Sequence, residues 1–218
     1  MKLSRNLRWT LVTLLAVFIG ALAGGMIFRG EYLSSQTVRR SFTIDQNFTA
    51  VRKILRKEGT EQIITLGGDS EFISQHWTAG GVDVDEVRLI GSEWRLELHG
   101  NLRVRTRDDY IGEQVLELAQ EVEIEPDFLH SEVKLKEPAE RLKNYAMTTH
   151  FERDEASGQS RVDLKLTQDI LTDAPWFAHG IADRRVRASA AQTLENQEAA
   201  IRTLIADNID DVPLLPLR

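Results

Sequence analysis

Apolar and polar residues alternate from Val38 onward, with Val38, Phe42 and Ile44 on one side and Arg39, Ser41 and Thr43 on the other. A period of two predicts a half-buried strand. Asp45 or Asn47 then offers a helix cap, and Phe48, Val51, Ile54 and Leu55 recur at helical spacing until Gly59. A weaker helical pattern covers Ser70 to Trp77. The first part of the chain therefore reads strand, helix, helix.

Strands dominate the next stretch. Trp94, Leu96, Leu98, Leu102 and Val104 are apolar, whereas Arg95, Glu97, His99, Arg103 and Arg105 are polar. This phase survives Gly100 and so excludes a two-residue turn at His99-Gly100, which would pair Leu96 with Arg103 and bury an arginine. Two geometries remain: a three-residue loop from His99 to Asn101, or one long strand bent at Gly100. The alternation continues in Leu116, Leu118, Val122 and Ile124, in Leu129, Val133 and Leu135, in Tyr145, Met147, Thr149 and Phe151, and in Val162, Leu164 and Leu166. Short connections with Pro126, Pro138 and Gly158 predict an antiparallel meander with one covered face and one wet face.

The cover is predicted at the C-terminus. Asp173 precedes Ala174-Pro175-Trp176 as a capped start with proline in the first turn. Val186, Ala190, Leu194, Gln197, Ile201 and Ile205 then keep three- and four-residue spacing to Asp207. A helix of about thirty residues is roughly 45 Å long and can cross a whole sheet. Leu194 and Ile201 are expected to pack on the strand face bearing Leu96, Leu98 and Val104. Residues 208–218 form a tail in which Pro213 and Pro216 oppose helix.

Ahead of this domain the pattern disappears, because Trp9 to Phe28 contains no charged residue. Its length matches the roughly 30 Å hydrocarbon core of a bilayer. Lys2, Arg5 and Arg8 precede it and Arg29 and Glu31 follow, so the positive-inside bias puts residues 1–8 in the cytoplasm. The expectation is a single-pass anchor over 9–28, a polar linker over 29–36 and an extracytoplasmic domain over 37–207, at a bacterial cytoplasmic membrane. The alternative is a signal peptide cut after Ala21-Leu22-Ala23, which would release a secreted domain. Continued apolar character through Phe28 favours the anchor. Gly20 and Gly24 form a small-xxx-small pair, a spacing used in membrane dimers and common in membrane helices generally.

Charge narrows the function. The chain has a formal charge of −7, and residues 1–30 hold four basic residues and no acid, so the remainder sets 23 basic residues against 34 acidic ones, a formal −11. A nucleic-acid partner is disfavoured, because phosphate binding needs a basic face. Cysteine is absent, which removes disulfides and thiolate metal sites. His76, His99, His130, His150 and His179 lack metal-ligand spacing, and Asp83, Asp85 and Glu86 lack the glycine and closing glutamate of a calcium loop. Gly67-Gly68-Asp69-Ser70 and Gly80-Gly81 read as turns. Arg103, Arg105 and Arg107 face Glu117, Glu121 and Glu123 on the neighbouring strand, a cross-strand ladder that dresses a wet face. No catalytic residue, cofactor or metal ligand is assigned.

Tyr145 to Phe151 differs from the other strands, since neither of its faces carries a fixed charge. Such a strand is covered on both sides or lines a cavity. Ser41-Phe42-Thr43-Ile44-Asp45 leading into Phe48-Thr49-Ala50-Val51 resembles the opening strand and helix of the START-like superfamily (SRPBCC, Bet v 1-like), and Ala174-Pro175-Trp176-Phe177 with the following helix is similar to its closing segment. That superfamily includes polyketide cyclases, pathogenesis-related allergens and lipid-transfer domains. The resemblance covers about residues 37–207 and implies an α+β helix-grip fold, a curved antiparallel sheet wrapped on a long C-terminal helix around an apolar cavity. The cavity residues expected on this reading are Trp94, Leu96, Tyr145, Met147, Thr149, Phe151 and Trp176. Partners would be the lipid bilayer and a hydrophobic ligand. Two alternatives stand beside it: an envelope scaffold with a filled core, and a cyclase-like enzyme using Tyr145, His150 and nearby threonines. The anchor departs from the family, whose members are typically soluble.

Overall fold

A computed structural model describes residues 30–68, 70–78, 95–108 and 111–211, together with the helical positions Leu14, Leu15, Val17, Gly20 and Gly24. The expected anchor over 9–28 and the end of the tail lie almost wholly outside these residues. Among the described residues no helix is long and apolar enough to cross a membrane.

Strand β1, Glu31–Asn47, starts inside the segment expected to be a linker. Its first inward positions are polar, Tyr32, Ser34 and Gln36, and they are held by one carboxylate on the C-terminal helix, Asp183. That is why the alternation of apolar residues begins only at Val38. Helix α1, Phe48–Gly67, is capped by Asn47, whose Oδ1 accepts from the Thr49 amide at 2.9 Å. It passes through Gly59 instead of ending there, because Leu55, Gly59 and Ile63 continue one inward row at four-residue spacing. It ends at Gly68, in the left-handed conformation that glycine takes most readily.

Strand β2, Ser70–Thr78, replaces the second helix expected there. A register shift between Phe72 and Ser74 breaks its alternation, so Phe72 and Trp77 do not read as one face of a strand. Strands β3, Leu96–Asp108, β4, Gly112–Ile124, β5, Phe128–Leu135, β6, Leu142–Arg153, and β7, Gln159–Asp173, form the meander. The seven-stranded sheet has the order β1-β7-β6-β5-β4-β3-β2, with antiparallel neighbours throughout. Of the two geometries left open at Gly100, the long strand is found: Gly100 pairs with Gln120 on one side and Trp77 on the other. A Cβ at this position would stand 2.8 Å from Trp77 Cε3, so the glycine seats the indole ring and makes no turn. The arginine ladder pairs Arg103 with Glu117 at 3.4 Å and Arg95 with Glu123 at 2.9 Å, while Arg105 reaches Glu71 at 2.9 Å.

After β7 a 3₁₀ turn, Trp176–Ala178, leads into helix α2, His179–Asn208. Asp173 is not its cap: the residue ends β7 and faces Arg141 at 3.6 Å, and Ala178 takes the cap position without a side-chain bond. The buried row of α2 is Val186, Ala190, Leu194, Ala200, Ile201, Leu204 and Ile205. It lies over β1, β7 and α1, which corrects the expectation that it covers β3. Leu194 and Ile201 join Ile44, Phe48, Val162, Leu164 and Leu166 in one core cluster. Leu96 only borders that cluster, and Val104 belongs to a second one with Leu102, Leu116, Leu118 and Val186. Polar contacts fix the placement. Arg40 on β1 pairs with Glu195 and Glu198 of α2, and Arg202 donates to the Thr43 carbonyl at 3.0 Å with its guanidinium over the Phe42 ring.

Candidate functional site: a cavity between sheet and helices

Because α2 covers one side of the sheet, the inward residues of β3 to β6 face an unfilled space of about 600 Å³. That is the size of a small-molecule site, for which about 300–1,000 Å³ is usual. Leu98, Leu102 and Val104 of β3 and Leu116 and Leu118 of β4 form the apolar floor. The inner side of α1, including Ile63 and Ile64, forms the opposite wall, and Thr193, Asn196 and Gln197 of α2 close the side.

A chain of amides crosses this apolar lining. Gln75 Nε2 of β2 donates to Gln120 Oε1 of β4 at 2.7 Å, and Gln120 Nε2 donates to Thr60 Oγ1 of α1 at 3.4 Å. Gln120 is buried, so its amide is held where an unpaired polar group would be costly. The hydroxyls of Ser131 and Thr149 come from residues paired across β5 and β6. Tyr145 Oη lies 3.5 Å from Met147 Sδ, also on the cavity side. The charged lining residues among those described, Arg56 and Glu61, are exposed positions of α1, so the interior is neutral. Neutral amides and hydroxyls in an apolar chamber can orient an uncharged molecule by one or two hydrogen bonds.

Of the residues expected at a cavity, Tyr145, Met147, Thr149 and Phe151 are brought together on its wall. Leu96 borders the core cluster and is not part of the wall. Trp176 stands elsewhere, 68% exposed in the 3₁₀ turn before α2. Trp94 lies outside the described residues. His150, considered as an acid or base for an enzyme, points to the other side of the sheet, where its ring lies 5.6 Å from those of Phe128 and His130. Strand alternation forces this, since Thr149 and Phe151 face inward. The amide chain Thr60, Gln75 and Gln120 was not anticipated. Gln120 is the one polar residue in the inward series Leu116, Leu118, Val122 and Ile124, a break in pattern that could have marked it. Among the described residues no group of three histidines or carboxylates is placed to hold a metal ion.

A second polar cluster sits at the far end of the sheet. Tyr32 Oη and Ser34 Oγ donate to the Asp183 carboxylate at 2.9 and 2.6 Å, and the His179 ring stacks on Tyr32 with centroids 3.7 Å apart and planes within 9°. The Ser34 hydrogen bond above all, with Tyr32, Gln36 and the charge of His179, holds the Asp183 carboxyl below the usual range against the opposing effect of desolvation. The same contact raises the Tyr32 phenol. These bonds fix the start of α2 to the start of β1.

No family model matches the chain, and no curated protein matches it. Solved structures do. A protein from Thermus thermophilus is 15% identical, with 79% of this chain and 98% of that one covered at a TM-score of 0.50. A protein of unknown function from Staphylococcus aureus is 8% identical over 81% and 98%, at 0.51. A START superfamily protein from Mycobacterium smegmatis is 12% identical over 78% and 97%, at 0.48. At these identities the likeness is one of fold. Together with the sheet order and the long closing helix, it shows that this chain has an α+β helix-grip fold.

Proposed function

We propose that this chain is a membrane-tethered binding domain that takes up an uncharged, largely apolar small molecule or lipid at the outer face of a cytoplasmic membrane. The cavity of about 600 Å³, with its apolar floor and buried amide chain, carries the reading. An uncharged ligand is favoured because no described charged side chain lies inside to pair with an ion, and an unpaired buried charge is costly. A chemical step is not part of this reading.

Two experiments test it. The full-length chain purified under mild conditions should carry a reproducible small molecule or lipid, identified by mass spectrometry after solvent extraction. Ser131→Leu and Thr149→Leu, which extend apolar atoms into the chamber, should displace it. Consistently empty protein, or occupancy indifferent to both substitutions, would sink the ligand reading. The tether and its direction rest on the apolar segment Trp9 to Phe28 and its flanking charges. A reporter active only outside the cytoplasm should give signal when fused after Arg218, and one active only inside should not. The reverse pattern overturns the location.

A further inference from the structure

The geometry points to a docking surface for an anionic lipid bilayer at the start of α2, built from Trp176, Phe177 and Ile181 with Arg184, Arg185 and Arg187. The three apolar side chains are 68%, 67% and 48% exposed, and the two aromatic rings meet edge to face at 5.9 Å. The arginines follow within the next turns of the helix, none of them buried, in a domain whose formal charge is otherwise strongly negative. Exposed aromatic residues bordered by arginine match the two layers of a membrane interface, the acyl boundary and the anionic headgroups. The acid within this stretch, Asp183, is occupied by Tyr32 and Ser34.

Chain geometry selects the bilayer over other occupants. β1 begins at Glu31 and pairs there with Asp173, so the 3₁₀ turn carrying Trp176 lies beside the point where the chain arrives from residue 28. The stacked pair Tyr32 and His179 makes this juxtaposition rigid. If the apolar segment 9–28 spans a membrane, as in the tethered reading on which this argument partly rests, Arg29 and Gly30 alone separate β1 from it. At about 3.5 Å per extended residue, the patch is then within roughly 10 Å of the headgroups. Residues 212–218 do not reach it: they follow the opposite end of α2, some 45 Å away, and span about 25 Å when extended. The segment between Thr78 and Arg95 is rooted at the other end of the sheet, since Leu96 connects through Ile124, Leu129, Phe151 and Val162 to Phe42.

The absence of cysteine makes the test direct. Gly180→Cys places a thiol beside the patch, where an added Cβ meets nothing within 4 Å, and Glu155→Cys places one in the exposed β6–β7 turn near the other end of β1. Each full-length variant, carrying an environment-sensitive fluorophore, is reconstituted in vesicles of phosphatidylcholine with about 30% phosphatidylglycerol, an anionic surface of the kind that attracts basic segments. Some vesicles also carry spin-labelled lipid as quencher. Emission from position 180 should fall about twofold or more while that from 155 stays constant, as for groups lying in or beyond the interface. Replacing the three arginines by serine should lower the docked-to-undocked ratio about fivefold per residue in these vesicles, and little in pure phosphatidylcholine. Carbonate extraction, run in parallel, reports the anchor separately. Retention without quenching at 180 leaves the anchor standing and overturns the docking surface. Quenching of a chain that carbonate removes supports the surface and overturns the anchor. A blue shift at 180 that lipid does not quench, with a doubled particle mass, assigns the patch to a second copy of the chain and overturns the proposal.

Discussion

The part of the sheet's inner face under α2 and the part facing the cavity are both buried, yet they are built differently. Val162, Leu164 and Leu166 on β7 are buried against Leu194 and Ile201 of the helix. Leu102, Val104, Leu116 and Leu118 on β3 and β4 are also buried, but they line the chamber. Solvent exclusion and close packing are thus separate properties. Buried apolar atoms beside a void lose the dispersion contacts that the same atoms gain beside a helix. The grip holds the protein together along β1 and β7 and leaves room for a guest over β3 to β6 of the same face.

The largest effect should come from the packed side. Leu194→Ala should cost about 2–5 kcal/mol in denaturant melts, as truncations of buried leucine do; a loss below about 1 kcal/mol would mean that α2 does not grip β7. The contrast sharpens when volume is added instead. Ala190, fully buried on α2, has no room, so Ala190→Leu should cost about 1–3 kcal/mol by overpacking. Ser131→Leu projects into the chamber and should change stability by about 0.5 kcal/mol or less in ligand-free protein, because it displaces no packed atom. Equal costs at the two sites, in parallel melts, would mean that the chamber is filled.

A smaller effect should follow pH. The Asp183 carboxyl titrates below its ordinary range in the folded protein, so the unfolded chain takes up its proton first as pH falls. Its contribution is complete above the ordinary carboxylate value near 4 and disappears as pH falls through the lowered native value. Protection factors for amide exchange at the start of α2, which remove the intrinsic pH dependence of the exchange chemistry, should therefore fall at low pH before those of the rest of the helix. Asp183→Asn should remove that dependence, and an unchanged profile would show that another group controls it. Smallest of all is the outer face of the sheet. Arg103→Ala breaks an exposed pair with Glu117 and should cost well under about 1 kcal/mol in the same melts.

Where the sequence can be read, the reason lies in which alternations the structure leaves undisturbed. β3, β4 and β7 keep a strict period of two, and β6 keeps it from Tyr145 onward, past the shift between Leu142 and Asn144, so their inward residues were legible, and so was the apolar row of the long helix. β2 was not, because the shift between Phe72 and Ser74 moves Trp77 out of phase with Phe72. The first residues of β1 read as a linker since their inward side chains serve Asp183, a partner some 150 positions away and invisible locally. Gly59 suggested a helix end that the continued packing of Ile63 overrides. The cavity itself was legible only in part. Tyr145, Met147, Thr149 and Phe151 stood out by lacking charge, but alternation alone cannot separate a face that meets a helix from one that meets a void. For the same reason the helix was expected over Leu96, Leu98 and Val104 when it lies over β7.

The order of strands carries a consequence for biosynthesis. β1, the first strand made, has one neighbour in the sheet, and that neighbour is β7. Leu33 must wait for Leu171, and Phe48 and Val51 must wait for Leu194 and Ile201. A growing chain cannot close this core until the long helix has emerged, and contacts so distant in sequence form slowly. Until then α1 and the edge of β1 expose apolar surface and unpaired backbone, the features that promote association between unfinished chains. The last turns of α2 therefore complete the core over a strand made much earlier, and truncation before Ile205 should destabilise the closed sheet by removing that side chain from the cluster.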